Sequence, residues 1–131
     1  MNNLLCDCGS NFRRKAGDTI QSGAYRWYVS SYCNCCGRAI EVDGTGVEDI
    51  PADVQQEIIK EYGMWEILAK NQISKINYLM KKLLESYTAE SIEENACIVY
   101  KGTRNQAFFI KSCLVERGIS ELNLEIRRSA S

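Results

Sequence analysis

Histidine is absent from this 131-residue chain. That removes the commonest general base at neutral pH and the usual partner of a serine or cysteine nucleophile. Glycine-rich phosphate loops and acidic metal motifs are missing as well, and Gly44 and Gly46 belong only to a turn. These absences predict a protein that is not an enzyme. Proline occurs once, and 45% of the residues are apolar against 25% charged. This is the composition of an ordinary globular protein, so order is expected nearly throughout. No apolar run exceeds a few residues, and no basic segment leads into an apolar one. Neither a transmembrane helix nor a signal peptide can be read, no membrane partner is expected, and the cytoplasm is the expected location.

A strong charge of one sign is lacking too, since the formal net charge is -1. Its distribution is uneven. Residues 1–46 carry five Lys/Arg against four Asp/Glu, residues 47–100 five against ten, and residues 101–131 six against three. An acidic centre with a basic tail is not the broad positive surface of a protein held mainly by phosphates.

Cysteine is what the chain has in plenty. Seven cysteines without a readable export signal point to metal-bound thiolates rather than a disulfide framework, and the odd number agrees. Five of them lie in two glycine-flanked clusters, Cys6-Asp7-Cys8-Gly9 and Cys33-Asn34-Cys35-Cys36-Gly37. Two turns that each present two thiolates look like a zinc ribbon, in which glycine after the second cysteine lets backbone amides approach the sulfurs. Cys6, Cys8, Cys33 and Cys36 are the expected ligands of a structural Zn2+, with Cys35 as the alternative to Cys33 or Cys36. Four thiolates leave no open position for water, so the metal is expected to hold structure and not to catalyse. Cys97 and Cys113 fall in apolar segments and read as core thiols. A redox role for adjacent Cys35 and Cys36 is the competing reading, and it requires a lowered thiol pKa.

The remaining elements follow from periodicity. Residues 25–32 are aromatic and β-branched and predict a strand that delivers ligands; 39–42 alternate, and 43–46 carry turn chemistry that ends a zinc ribbon over 1–46. Pro51, the spacing of Val54, Ile58 and Tyr62, and a terminating Gly63 predict a helix over 51–62 within a connecting segment, 47–63. Residues 64–69 read as a strand. Ile73, Ile76, Leu79, Met80, Leu83 and Tyr87 make a helical stripe. Thr88 caps a short acidic helix through Glu94, and 96–100 form a buried strand. Thr103 and Gln106 form a capping box that opens a helix stopped by Gly118, and 122–127 close the chain as a strand. The fold class is α+β: a small zinc ribbon, then a β-α-α-β-α-β split module over 64–131 with a three-stranded sheet.

Residues 64–128 resemble the C-terminal domain of the bacterial ribosomal stalk protein, whose split β/α fold is shared with the Clp protease adaptor. The resemblance is carried by Lys75-Ile76, the Gly102-Thr103 turn, Ala107, Ile110, Leu114, Gly118 and the strand Leu122 to Arg127. It implies the fold and, by analogy, a binding platform. The stalk domain recruits translation factors through a glycine- and lysine-rich turn. Here that turn is Tyr87 to Glu94, without glycine and with acid in place of base, which argues against the same function.

Three surfaces invite partners. Glu85, Glu90, Glu93 and Glu94 form an acidic run suited to a basic protein. Arg13, Arg14 and Lys15, read as a basic loop near Tyr25, Trp27 and Tyr28, suit phosphates and stacked bases. Phe108 and Phe109 cannot both join the core face of Ala107, Ile110 and Leu114, and one is expected to pack against the ribbon or the 51–62 helix. Taken together, the expectation is a non-enzymatic protein-binding module, foremost a bacterial immunity or antitoxin-type protein that masks a basic toxin domain. The alternatives are a nucleic-acid or ribosome-associated zinc-ribbon factor and a thiol redox protein.

Overall fold

In the computed structural model, which describes residues 12–33, 35–85, 87, 90–93 and 96–129, the basic triplet lies on a strand and not in a loop. This strand, β1 (Phe12–Gln21), has little apolar alternation to announce it. It forms because Ser22 and Gly23 (φ +51° and +78°) make a two-residue hairpin turn that folds it onto β2 (Ala24–Cys33). All ten residues pair, from Gln21↔Ala24 to Phe12↔Cys33. β3 (Ala39–Thr45) pairs with the other side of β2, giving a three-stranded antiparallel meander in the order β1-β2-β3.

The chain divides into two compact units, Met1–Ile58 and Ile59–Ser131. Helix α1 (Ala52–Tyr62) crosses that boundary and stops at Gly63 (φ +91°), as its spacing predicts. In the first unit, Ala16, Tyr25, Trp27, Val29 and Cys33 are buried on one face of the meander, together with Ile50, Val54 and Ile58.

The second unit is an α+β layer. Its strands are β4 (Trp65–Lys70), β5 (Glu90–Glu93), β6 (Ala96–Gly102) and β7 (Leu124–Arg128), antiparallel in the order β5-β6-β4-β7. Helices α2 (Ile73–Leu83) and α3 (Arg104–Glu116) pack on the sheet. The expected strands at 64–69, 96–100 and 122–127 are present, and β5 is an addition. Residues 90–93, expected in a short helix, instead pair with β6 through Glu90↔Ile98, Ser91↔Cys97 and Glu93↔Ala96, with a bulge between Ser91 and Glu93. A helix of one or two turns cannot sustain itself in water, whereas the free edge of β6 offers a ready ladder. Thr88 and Glu94, the expected cap and last residue of that helix, lie outside the described residues.

Local chemistry sets the element ends. Asn71 and Gln72 adopt successive left-handed conformations (φ +61° and +50°) between β4 and α2. Gln72 Oε1 then accepts hydrogen bonds from the Ser120 backbone N–H (3.3 Å) and Asn123 Nδ2 (2.8 Å), clasping the turn that precedes β7. That 3-10 turn, Glu121–Asn123, delays the last strand by two residues and leaves Leu122 95% exposed. α3 opens with the expected capping box: the Gln106 N–H donates to Thr103 Oγ1 (3.0 Å), and the Thr103 N–H donates to Gln106 Oε1 (2.9 Å). Both residues are buried, and a side chain at Gly102 would collide with Gln106 Oε1.

Thr103→Ala is expected to lower global stability by about 1–2 kcal/mol, at the upper end for an N-cap because the Gln106 N–H that it frees is buried. A urea midpoint unchanged from the parent chain would contradict this.

Candidate functional site: a cysteine turn and two acidic sheet edges

β2 ends on Cys33, and the chain turns back to β3 through Cys35, Cys36 and Gly37. The Cys33 N–H donates to the Arg38 carbonyl (2.8 Å), and the Gly37 N–H donates to the Cys33 carbonyl (2.9 Å), with Gly37 at φ +78°. A residue with a side chain would be strained there, which accounts for the glycine after the second cysteine. Cys33 is buried; Cys35 and Cys36 are exposed. None of the five described cysteines is in a disulfide. Among the described residues no group of three or more metal-ligating side chains converges, and Cys6 and Cys8 lie outside them.

The alternation of β1 divides the basic triplet. Arg14 turns to the buried face and is engaged by α1, with Asp53 Oδ2 at 3.2 Å and Glu57 Oε1 at 3.0 Å. Trp27 and Tyr25 are buried on that face, the Tyr25 hydroxyl donating to Asp18 Oδ2 (2.9 Å). Arg13 and Lys15 are exposed on the opposite face, where Arg13 stands across from Tyr32 and the Tyr28 ring lies over Gly17. The six residues read as one basic and aromatic patch are therefore split between two faces.

The alternation read at 39–42 belongs to β3, and 43–45, expected in a turn, continue that strand in register with β2. All but one of the β3 residues are exposed, Ile40 by 43% and Val42 by 55%. These two, with Trp27, Val29, Pro51 and Val54, line a groove of about 300 Å³. Their alternation with Glu41 was legible; that the strand would end up at an edge was not. On the other face of β3, Asp43 pairs with Arg26 at 3.5 Å.

The acidic run meets a different fate from the helix face expected for it. Glu85 is exposed just after α2. Glu90 and Glu93 sit on β5, the edge strand of the second sheet, and Glu94 lies outside the described residues. Elsewhere in this unit Arg104 stacks on Trp65 (5.5 Å to the ring centroid) and on Phe108 (4.7 Å). Phe108 thus stays 38% exposed under a guanidinium from its own helix neighbour four residues back. Glu66 is buried and paired with Arg127 across the β4–β7 ladder (2.7 Å).

Of the two cysteines expected in the core, Cys97 is buried on β6, whereas Cys113 is only half-buried on α3. Burial pushes the Cys97 thiol up, and it pushes Cys113 up against the lowering effect of Arg117. Tyr87 is pushed up to about 12, by burial first and by Cys97 second; its hydroxyl donates to Asn77 Oδ1 (2.6 Å). Comparison of the chain with protein-family models, with curated proteins and with solved structures finds no match.

The raised pKa values carry a stability signature. Unfolding returns these groups to ordinary values, 9.0 for the thiols and 10.0 for the tyrosine, so above about pH 9 the unfolded chain binds fewer protons than the folded one. Their contribution is fully present below that pH and is lost as pH rises toward 12. The urea midpoint is expected to fall progressively above pH 9, less steeply in Cys97→Val; a flat profile to pH 11 would refute the assignment.

Proposed function

We propose that this chain is a non-enzymatic protein-binding module of the bacterial immunity or antitoxin type, which masks a basic toxin domain in the cytoplasm. One observation carries the reading: in each unit an edge strand carries acidic residues in its sequence, Glu41 and Asp43 along β3 and Glu90 and Glu93 along β5. Acidic edges repel strands of their own kind and attract a basic partner, and complementary charge speeds and orients such association. No described helix is long and apolar enough to cross a membrane.

In this reading the first unit is held by a structural zinc ion bound by Cys6, Cys8, Cys33 and Cys36. Soft thiolates suit zinc, and the reading is supported by a turn from Cys33 to Arg38 that two backbone hydrogen bonds close. The register Phe12↔Cys33 supports it further. Cys8 precedes Phe12 by four residues in the sequence, a span of at most about 14 Å in extended chain, so a site shared by the two clusters at this end of the β1–β2 ribbon is within reach of the chain. The ion would supply cross-linking and folding free energy on the order of 10 kcal/mol. The purified chain is expected to hold about one zinc per molecule by elemental analysis, and Cys36→Ser to lose it with unfolding of the meander. Retention of zinc by Cys36→Ser would move the ligand to Cys35.

Co-expression with the product of the adjacent gene tests the partner. A stable complex that suppresses that product's toxicity is expected, weakened about tenfold by the double variant Glu90→Lys, Glu93→Lys, and more at low salt than at high salt. Absence of any such complex overturns the immunity reading.

A nucleic-acid reading retains one supporting observation, the exposure of Arg13 and Lys15 on the face that carries Tyr28 and Tyr32. It requires oligonucleotide binding that falls steeply with salt, and salt-independent or absent binding removes it.

A further inference from the structure

The hydrogen-bond phase of β3 can be worked out from its two ends. The Cys33 N–H donates to the Arg38 carbonyl, and the Gly46 N–H donates to the Tyr25 carbonyl (3.4 Å). Both pairs share the register of the β2–β3 ladder, in which Val29 faces Val42 and Trp27 faces Gly44. In an antiparallel ladder bonded and non-bonded pairs alternate. Ile40, Val42 and Gly44 therefore direct their N–H and C=O groups toward β2, while Ala39, Glu41, Asp43 and Thr45 direct theirs away. These four residues are all exposed, and their backbone groups have no backbone partner among the described residues.

We infer that β3 is the docking edge for an extended segment of a partner protein, added to the meander as a fourth strand, whose residues alternate between apolar and basic. The backbone requirement is met by the outward groups of Ala39, Glu41 and Asp43, the usual source of affinity in strand addition. Side-chain alternation supplies the pattern. On one face Ile40 and Val42 are exposed beside the groove lined by Trp27, Val29, Pro51 and Val54. Apolar residues of the added strand would cover them and extend that groove. On the other face Glu41 and Asp43 project, and Asp43 meets Arg26 only at 3.5 Å with both side chains about half exposed. A basic residue opposite Glu41 completes that row.

Charge also weighs against a second copy of this chain as the occupant. In a symmetric antiparallel β3–β3 pair, the registers that oppose Val42 with Ile40 or with itself set Glu41 against Glu41 or against Asp43. Like charges directly opposite one another destabilise a strand pair. The edge is thus open to a basic strand and guarded against its own.

The inference rests on the protein-binding reading above but not on the identity of a toxin. Short end-capped peptides alternating valine with lysine, or valine with glutamate, test it against the full chain, as purified, by NMR titration and fluorescence anisotropy. The lysine peptide is expected to bind about tenfold more tightly than the glutamate peptide, with shift changes concentrated on 39–45 and the groove residues. Glu41→Lys is expected to reverse that preference. Glu41→Pro removes an outward N–H without touching the β2 ladder, and is expected to abolish binding of both peptides while zinc content and circular dichroism stay unchanged. Equal binding of the two peptides, shifts centred on β5, or binding that survives Glu41→Pro overturns the inference. So does a concentration-dependent dimer that Glu41→Pro dissolves, which would make a second copy the occupant. Peptide binding without any toxin complex keeps the inference and removes the immunity reading; a toxin complex indifferent to Glu41→Pro does the reverse.

Discussion

The alternation of side chains along β2 is the constraint from which the first unit follows. Tyr25, Trp27, Val29 and Cys33 are buried on one face, and a shift of one residue in the pairing would exchange every one of them for a polar neighbour. That burial holds the register with β1 and β3 and so decides what each flank presents. It draws Arg14 inward to Asp53 and Glu57 and leaves Arg13 and Lys15 outside. It seats the Trp27 indole over Gly44, where a side chain would collide with the ring. It also brings the start of β1 level with Cys33, so a thiolate site at that end of the ribbon would act on a structure already aligned by its ladder.

In the second unit the corresponding role falls to β4, paired on both sides by β6 and β7. Its residues from Glu66 to Ala69 are buried in succession, and the one carboxylate among them is answered across the ladder by Arg127. The helices are fastened at their ends by polar contacts: Thr103 with Gln106 at the start of α3, and Gln72 reaching from the start of α2 to the turn before β7. Cys97 sits within this packing, where burial keeps it a thiol and suits it to structure rather than to exchange.

One edge strand of each sheet carries two acidic residues in its sequence, Glu41 and Asp43 in β3 and Glu90 and Glu93 in β5. An unpaired strand is a hazard because it templates the addition of others, and carboxylates on that strand narrow what can be added. On β3 the restriction is sharpened by backbone phase, since the residues that carry the acids also turn their hydrogen-bonding groups outward. Affinity and discrimination would then reside in the same residues, Glu41 and Asp43, with Ile40 and Val42 supplying apolar area beside them.

Much of the fold was legible because its signals are local. The helix at 51–62, the stripe that begins at Ile73, the Thr103 capping box, the stop at Gly63 and the strands at 64–69 and 96–100 each reflect periodicity or a cap contained within one segment, although the stripe runs on to Tyr87 whereas α2 stops at Leu83. The cysteine spacing likewise made a metal-binding turn the natural expectation at Cys33 and Cys36. β1 and β5 were not legible, because neither carries an alternating pattern of its own; each is a strand because a neighbour with a free edge lies beside it. Nor could spacing disclose that Arg13 and Arg14 would part to opposite faces, or that Ile40 and Val42 would stand on an open edge. Sequence by itself determined the α+β class, the caps and the cysteine turn, since those depend on residues close in the chain. Only tertiary structure decided which strands became edges and which side chains they left to solvent, since that depends on pairing between segments far apart in it.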